Sequence, residues 1–383
     1  MRRTFVLINN TGLGGTERRF GRLFAKMADE DPHACLIINA GLCRALLEAG
    51  LVTGHEDRIW KLPEPMRALA RLLRLGDGAL GFWMRKLDYP LFACLLFAQY
   101  VLTPYRTFHL VLGGVYVSLP LMLVRSDHRY VISVVSANLP MMVGPVWATS
   151  VYRFALRRCI VIDALSERTQ GDLVRRGLPR EKIMVSPCSV IDPHKFLPAP
   201  EKEPWVIFAG RLVEEKNPLL FLEAVPVILR SVPTAKFFLL GEGPLRSKVE
   251  QALDRLGLRD DIVQSRFCPA PSQILAKARV FVSLQRTDNY PSQSLLEAMA
   301  CGMASVATDV GLTWRLVNDE TGIRVKPDHE QIAEAVAGLL KDPHHCEQMG
   351  LAARRLVIRE HSGERYRAYL DKLYMAANRT GPR

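Results

Sequence analysis

No stretch of this sequence is apolar for long enough to cross a bilayer. The longest largely apolar run, residues 89–102 (YPLFACLLFAQYVL), stops short of the roughly 18–20 residues that a spanning helix needs. Neither a heptad repeat nor a Gly-X-Y period runs through the chain, which excludes a coiled coil and collagen. No C-x-x-C pair occurs among the eight cysteines, at positions 35, 43, 94, 159, 188, 268, 301 and 346. Several sit in apolar runs, such as Cys159 in CIVID and Cys301 in EAMACG. Buried free thiols in a reducing compartment are therefore expected. No small-residue cleavage site follows the first apolar run. That run leads straight into Asn9, Asn10 and a glycine loop, so it reads as a first strand and not as a signal peptide.

What is present is enough apolar material for two cores. The chain has 383 residues, 49% hydrophobic and 23% charged, too apolar for disorder to be its main state. Its net charge is +12. Residues 1–200 hold 26 Lys and Arg against 16 Asp and Glu, a net of +10, and residues 201–383 hold 25 against 23, a net of +2. The basic excess belongs to the first half, whose partners are expected to be anionic: phospholipid headgroups, a phosphorylated acceptor or nucleic acid. Nucleic acid is the poorest of these, because aromatics do not interleave with a basic stripe in any reading motif.

Short β-branched or aromatic runs alternate with helix-length amphipathic segments. Strands are expected at 5–9, 34–39, 110–113, 130–135, 160–164 and 183–186, then at 205–210, 236–241, 280–284, 304–309 and 322–325. Most are continuous apolar runs, the pattern of parallel strands buried on both faces. Helices are expected at Thr16–Met27, Pro218–Val232, Leu245–Leu256 and Ser294–Ala300. The rhythm restarts after 196–204 (FLPAPEKEP), which reads as a linker. The fold class is therefore α/β, with two doubly wound domains over 1–197 and 205–355 and a helical tail over 356–383 that is expected to pack back toward the first domain. Residues 60–106 break the rhythm. Arg67, Arg71 and Arg74 share a helical face by spacing, Met66, Leu69, Leu72 and Leu73 surround it, and Phe82, Trp83, Arg85 and Lys86 follow. Such a segment either lies on an anionic membrane or packs its leucines on its own domain.

Three constellations carry chemistry. In NNTGLGGTERRF (9–20), Gly12, Gly14 and Gly15 precede a helix start, which suits close approach of an anion to backbone N–H groups or simply a tight turn. Glu17 occupies the third glycine position of G-x-G-x-x-G, and no acidic residue ends the second strand, so a nicotinamide-dinucleotide site is weak; without G-K-[ST] it is not a P-loop. In FAGRLVEEKNP (208–218), Arg211 follows a strand end and Lys216 precedes a helix. Two cations there suit a diphosphate, or are loop charges matched by Glu214 and Glu215. In SLQRTDNYPSQSLLEAMACGMASVATDVG (283–311), a polar loop leads to a helix near Ser294 that Gly302 ends. Glu297 either closes a capping box with Ser294 or accepts hydrogen bonds from ligand hydroxyls.

GGTER, FAGRLVEEKNP, LLGEGPL and YPSQSLLEAMACG with SVATDVG resemble the retaining glycosyltransferases of family 4 (group 1). The resemblance covers nearly all of 205–345. Over 1–195 it is carried by GLGGTER and the stretch IVIDALSERTQGDLVRRG…KIMVSPCSVID. It implies a GT-B fold, with two Rossmann-like domains facing each other across a cleft, the first binding the acceptor and the second a nucleotide-diphosphate sugar. It also implies net retention at the anomeric carbon and no bound metal or other cofactor. Arg211 and Lys216 would hold the donor diphosphate and stabilise the leaving nucleotide, while Asp288 or Asn289 would reach the donor sugar. Glu297 would accept from the ribose. Arg266 and Phe267 would line the base pocket, and Tyr290, Ser292, Ser294 and Leu295 would complete the donor site. Gly14, Gly15 and Glu17 would serve phosphate or acceptor on the first domain.

Two positions depart from the family. It often has a Glu eight residues before the ribose glutamate, where this chain has Asn289. It usually has a His on a T-x-H-G pattern, where YVISVVSAN offers Val135, Ser136 and Asn138. His109 and His128 lie off that pattern and are expected as ordinary loop or core histidines. The leading expectation is sugar transfer to a hydroxyl acceptor, lipid-linked or saccharide, in surface polysaccharide or glycolipid assembly. The expected location is cytoplasmic, peripheral on the inner face of the membrane through 60–106. The alternatives are a sugar-nucleotide epimerase of the same fold and a catalytically impaired sugar-nucleotide-binding protein.

Overall fold

In a computed structural model of the chain, the described residues are 3–9, 13–74, 80, 84, 86–104, 106–135, 146–186, 190–265 and 271–379. They form two compact units, Met1–Ser186 with Ala368–Arg383, and Pro187–Arg367. In the first unit the described strands are β1 (Arg3–Ile8), β2 (Cys35–Asn39), β3 (Ile59–Leu62), β4 (Thr107–Leu112), β5 (Arg129–Val134), β6 (Val161–Ala164) and β7 (Ile183–Val185). They pair in parallel in the order β3-β2-β1-β4-β5-β6-β7. In the second unit β8 (Glu203–Ala209), β9 (Lys236–Leu240), β10 (Ile262–Ser265), β11 (Ala278–Ser283), β12 (Ala304–Thr308) and β13 (Gly322–Val325) pair in parallel in the order β10-β9-β8-β11-β12-β13. Chain direction around each sheet therefore reverses once, at β1/β4 and at β8/β11. Such switch points open a crevice at the carboxyl ends of the strands, and ligands bind there.

The continuous apolar runs do become strands covered on both faces. In the second unit, helices Pro218–Ser231 and His329–Lys341 close one face over Val206, Phe208, Val280 and Val282. Helices Gln293–Ala300 and Pro343–His361 close the other over Ile207 and Phe281. Two strands, β3 and β10, were not expected from the sequence. Both lie at a sheet edge. Their sequences, IWKL and IVQS, are short and lack the continuous apolar signal of the inner strands.

Three sequence expectations are revised. Over the described residues of 60–106, the end of β3 is followed by helix Pro65–Leu72, which carries Arg67 and Arg71, and then by helix Asp88–Tyr100, while Phe82, Trp83 and Arg85 lie outside the described residues. Arg74 lies beyond the first of these helices, with a left-handed φ of 52°, so it does not share the helical face of Arg67 and Arg71. Helix Asp88–Tyr100 buries Phe92, Leu96 and Tyr100, one stripe at four-residue spacing, and leaves Cys94 exposed. The segment 196–204 is packed into the second unit, and the units divide at Ser186/Pro187. Ile191 and Phe196 are buried in the second core. Lys202 donates to the carbonyls of Ala278 at 2.8 Å and Cys301 at 2.9 Å, and Arg354 donates to that of Phe196 at 2.6 Å. Helix Pro343–His361 runs through the expected boundary at 355, and from Ala368 onward the last helix, Gly363–Arg379, counts with the first unit.

Candidate functional site

The switch point of the second sheet carries the basic pair. β8 ends at Ala209, and Gly210 donates its N–H to the carbonyl of Leu240 at the end of β9, at 2.9 Å. Gly241, with φ of 149°, lies so close that a Cβ there would stand 1.9 Å from the Gly210 carbonyl oxygen. This approach fixes where the chain leaves the sheet. Arg211 follows, exposed. The turn Glu214–Lys216 ends at Asn217, whose φ of 55° is left-handed and lets Pro218 start the next helix. The Lys216 stem lies near Gly210, and its ammonium is pushed down to about 8, first by burial and then by the Arg211 charge. Among the described residues neither cation has a carboxylate within ion-pair distance. Glu214 pairs instead with Lys248 and Arg286, each at 3.5 Å.

The loop after β11 is tied to this turn. Arg286 donates its backbone N–H to the Glu215 carbonyl at 3.0 Å and its guanidinium to the Asn217 amide oxygen at 3.3 Å. Asp288 accepts backbone N–H bonds from Tyr290 and from Leu312, both at 3.2 Å, so its carboxylate joins the loops after β11 and β12. Gly311 makes that contact possible, since a Cβ there would stand 2.2 Å from the Asp288 carboxyl carbon. Asn289 is exposed, with no hydrogen bond among the described residues. Tyr290 stands edge-on to His361, with centroids 6.5 Å apart. Arg266 and Phe267 lie outside the described residues.

Helix Gln293–Ala300 starts one residue earlier than expected, with Ser292 as its N-cap. Ser294 is therefore inside the helix, and the capping box with Glu297 does not form. Glu297 instead accepts from the Gln293 side chain at 3.0 Å. The first helical bond is Leu296 N–H to the Ser292 carbonyl, which leaves the N–H groups of Gln293, Ser294 and Leu295 open to an acceptor. The Leu295 side chain is buried in the core, so only its N–H can serve a ligand. The helix ends in a Schellman motif: Gly302, φ 69°, donates to Met299, and Met303 donates to Ala298. Among the described residues, the cations thus follow β8, and the open N–H groups and the Glu297 carboxylate follow its sheet neighbour β11.

In the first unit, Gly14 caps helix Gly15–Glu30. Glu17 is buried and accepts from the Gly14 N–H at 2.8 Å and from the Asn9 side chain. Its carboxylate thus ties the end of β1 to the start of this helix. Nothing lies within 4 Å of a Cβ placed on Gly15, so this backbone is open to approach. Asn9 and Asn39 exchange two hydrogen bonds of 3.1 Å across the ends of β1 and β2, and Asn39 donates to Glu64 at 3.0 Å.

Sequence reasoning missed a buried polar chain in the first unit. His109 on β4 bonds the Tyr374 hydroxyl through Nδ1 and the Ser133 hydroxyl through Nε2, both at 2.7 Å. Ser133 donates to Asp163, its register partner on β6. Asp163 also accepts from Tyr369 at 2.6 Å and stands 3.8 Å from the guanidinium of Arg19. The signal was one polar residue in each of three adjacent apolar strands. Burial pushes His109 down to about 4 and lowers His128, which lies against the Tyr100 carbonyl at 3.2 Å. Among the described residues no group of three His, Cys, Asp or Glu is placed to hold a metal ion, and no helix is long and apolar enough to cross a membrane.

Residues 191–356 match the family described as glycosyl transferases group 1. The chain is 24% identical over 203 residues to a phosphatidylinositol N-acetylglucosaminyltransferase subunit of Arabidopsis thaliana, covering 51% of this chain and 44% of the relative. It is 31% identical over 230 residues to a GDP-mannose-dependent alpha-(1-6)-phosphatidylinositol monomannoside mannosyltransferase of Mycolicibacterium smegmatis, covering 53% and 60%. The chain thus spans about half the length of these curated relatives. Among solved structures, Anabaena Alr3699/HepE in complex with UDP superimposes with a TM-score of 0.77 at 16% identity, over 98% of this chain and 100% of that one. At that identity the likeness concerns the fold. The chain therefore has a GT-B fold, and its residues 191–356 are similar to the group 1 glycosyl transferases.

Proposed function

We propose that the protein transfers a sugar from a nucleotide-diphosphate sugar to a hydroxyl acceptor, with retention at the anomeric carbon and without a metal ion. One observation carries this reading: Arg211 and Lys216 follow β8 at the β8/β11 switch point with no carboxylate at ion-pair distance among the described residues, and the chain after β11 leads into helix Gln293–Ala300. As the glycosidic bond breaks, charge builds on the departing diphosphate. Two fixed cations and open N–H groups stabilise that charge more in the transition state than before it. Glu297 accepts from the ribose hydroxyls, and the exposed amide of Asn289 reaches the donor sugar. The group 1 match and a UDP-bound structural neighbour support a nucleotide-sugar donor. The two curated relatives, both named for phosphatidylinositol acceptors, support a glycolipid product. The location that follows is cytoplasmic, peripheral on the inner membrane face.

A thermal-shift screen against nucleotide-diphosphate sugars tests the donor, because a ligand that binds only the folded chain raises its Tm. The anomeric configuration of the product, read by NMR, tests retention. A second reading is favoured by one observation: Asp288 is engaged by two backbone N–H groups, and the position eight before Glu297 is an amide. On that reading the chain binds the donor without turning it over. Tight nucleotide binding with no product from a broad acceptor panel would establish it.

A further inference from the structure

The carboxyl edge of the first sheet holds a basic cavity that the donor site does not use. It measures about 200 Å³ and is lined by Ala40, Gly41, Arg44, Glu64, Arg67 and Arg71. Two neighbouring strand-to-helix turns build it, where β2 runs into helix Ala40–Glu48 and β3 into helix Pro65–Leu72. Glu64 forms its floor. This carboxylate accepts from Asn39 at 3.0 Å, from Arg67 at 2.9 Å and from the Gly41 N–H. One guanidinium is thereby matched. Arg44 and Arg71 are exposed and have no hydrogen-bond or ion-pair partner among the described residues. Two positive charges therefore remain uncompensated on the wall. Gly41 keeps the space open, since a Cβ there would stand 2.4 Å from Arg67 Nη1 and 2.8 Å from Glu64 Oε2.

We infer that this cavity binds a phosphate group, and that an anionic lipid headgroup supplies it. Forked guanidinium groups match phosphate oxygens in pairs. The volume suits a headgroup and is below the roughly 300 Å³ at which small-molecule pockets begin. Beside the cavity, Leu72 is 78% and Leu73 56% exposed, at the end of the helix that carries Arg67 and Arg71. Arginines next to bare leucines suit the boundary between headgroups and acyl chains. The inference rests on the lipid-acceptor reading and deepens it by naming the group that the first unit grips. Its test uses binding alone, so failure of turnover and failure of this site are read separately.

The full chain is floated with phosphatidylcholine vesicles, with and without phosphatidylglycerol, at low salt. The wild type binds only the anionic vesicles. The double variant Arg44→Ala/Arg71→Ala loses roughly thirtyfold in partitioning, the effect of two arginines removed from a lipid surface. The charge-matched pair Arg153→Ala/Arg157→Ala keeps its binding. Gly41→Ala, which displaces Arg67 without changing the charge, loses several-fold. A second arm measures thermal shift with inorganic phosphate in the Lys216→Ala background, where the donor cations are impaired. A shift that Arg44→Ala/Arg71→Ala abolishes, without vesicle binding, keeps the phosphate site and replaces the lipid by a free phosphate. Equal losses in both double variants, or neither vesicle binding nor a phosphate shift, overturn the inference.

Discussion

Lys216 is packed beside the Arg211 charge: burial first, and then that charge, bring its ammonium down to about 8. Two cations held beside each other are unfavourable unless an anion joins them. Lys216→Ala is expected to lower turnover by roughly two decades or more while the fold persists, the scale for one lost stabiliser of transition-state charge.

The same pair predicts a pH dependence. Below about 8 Lys216 is charged, and above it the ammonium loses its proton. The kcat/KM of the free enzyme should therefore fall as pH rises from 7 to 9. Arg211→Ala removes the neighbouring charge, so the fall should move to higher pH while the plateau drops.

Stability runs the other way. The unfolded chain holds the Lys216 proton up to about 10.5 and the folded one only to about 8, so stability from this group rises with pH through that window. Lys216→Met removes the cost of the buried charge. It should raise Tm by a few °C at pH 7, and the gain should vanish near pH 10.5. A variant less stable than the wild type at pH 7 would show that Lys216 supports the fold.

Glu297→Ala breaks no capping box, because Ser292 and not Ser294 is the N-cap residue. Its main effect should fall on the donor: affinity weaker by roughly ten- to a hundredfold, the range for a hydrogen bond to a charged group. Calorimetry reads it, and a large fall in Tm with unchanged affinity would count against the ribose contact.

Asp163 serves Ser133, Tyr369 and Arg19 from one buried carboxylate. Asp163→Ala takes the carboxylate away from the buried Arg19 guanidinium and from the Ser133 and Tyr369 hydroxyls, and should cost about 3–5 kcal/mol in urea unfolding. Tyr369→Phe, which removes one donor, should cost about 1–2 kcal/mol. His109 adds an acid-side dependence. Its folded form takes a proton only near 4 against 6.5 for the unfolded chain, so stability falls as pH drops from 6.5 to 4. His109→Phe should flatten that slope.

What the sequence made legible was local. Arg211, Lys216 and the helix after Ser292 sit where a strand end and a helix start adjoin in the chain, and parallel α/β sheets place such turns at one edge. The inner strands announced themselves as apolar runs, while edge strands β3 and β10 did not. Contacts across distance stayed hidden. The Asp288 bond to Leu312 spans 24 residues and that of His109 to Tyr374 spans 265. Ser133 and Asp163 meet only because β5 and β6 pair in that register. Spacing gave Arg74 to the helical face of Arg67, but the chain turns left-handed there.

Calorimetric titration of a nucleoside diphosphate into the full chain with EDTA present, wild type beside Lys216→Ala, tests the central claim most directly. Persistent binding by the wild type, weakened tenfold or more in the variant, is the predicted result, since a charged contact to phosphate is worth about 1.5–3 kcal/mol. Equal affinities in the two proteins, or wild-type binding that disappears with the chelator, would contradict it.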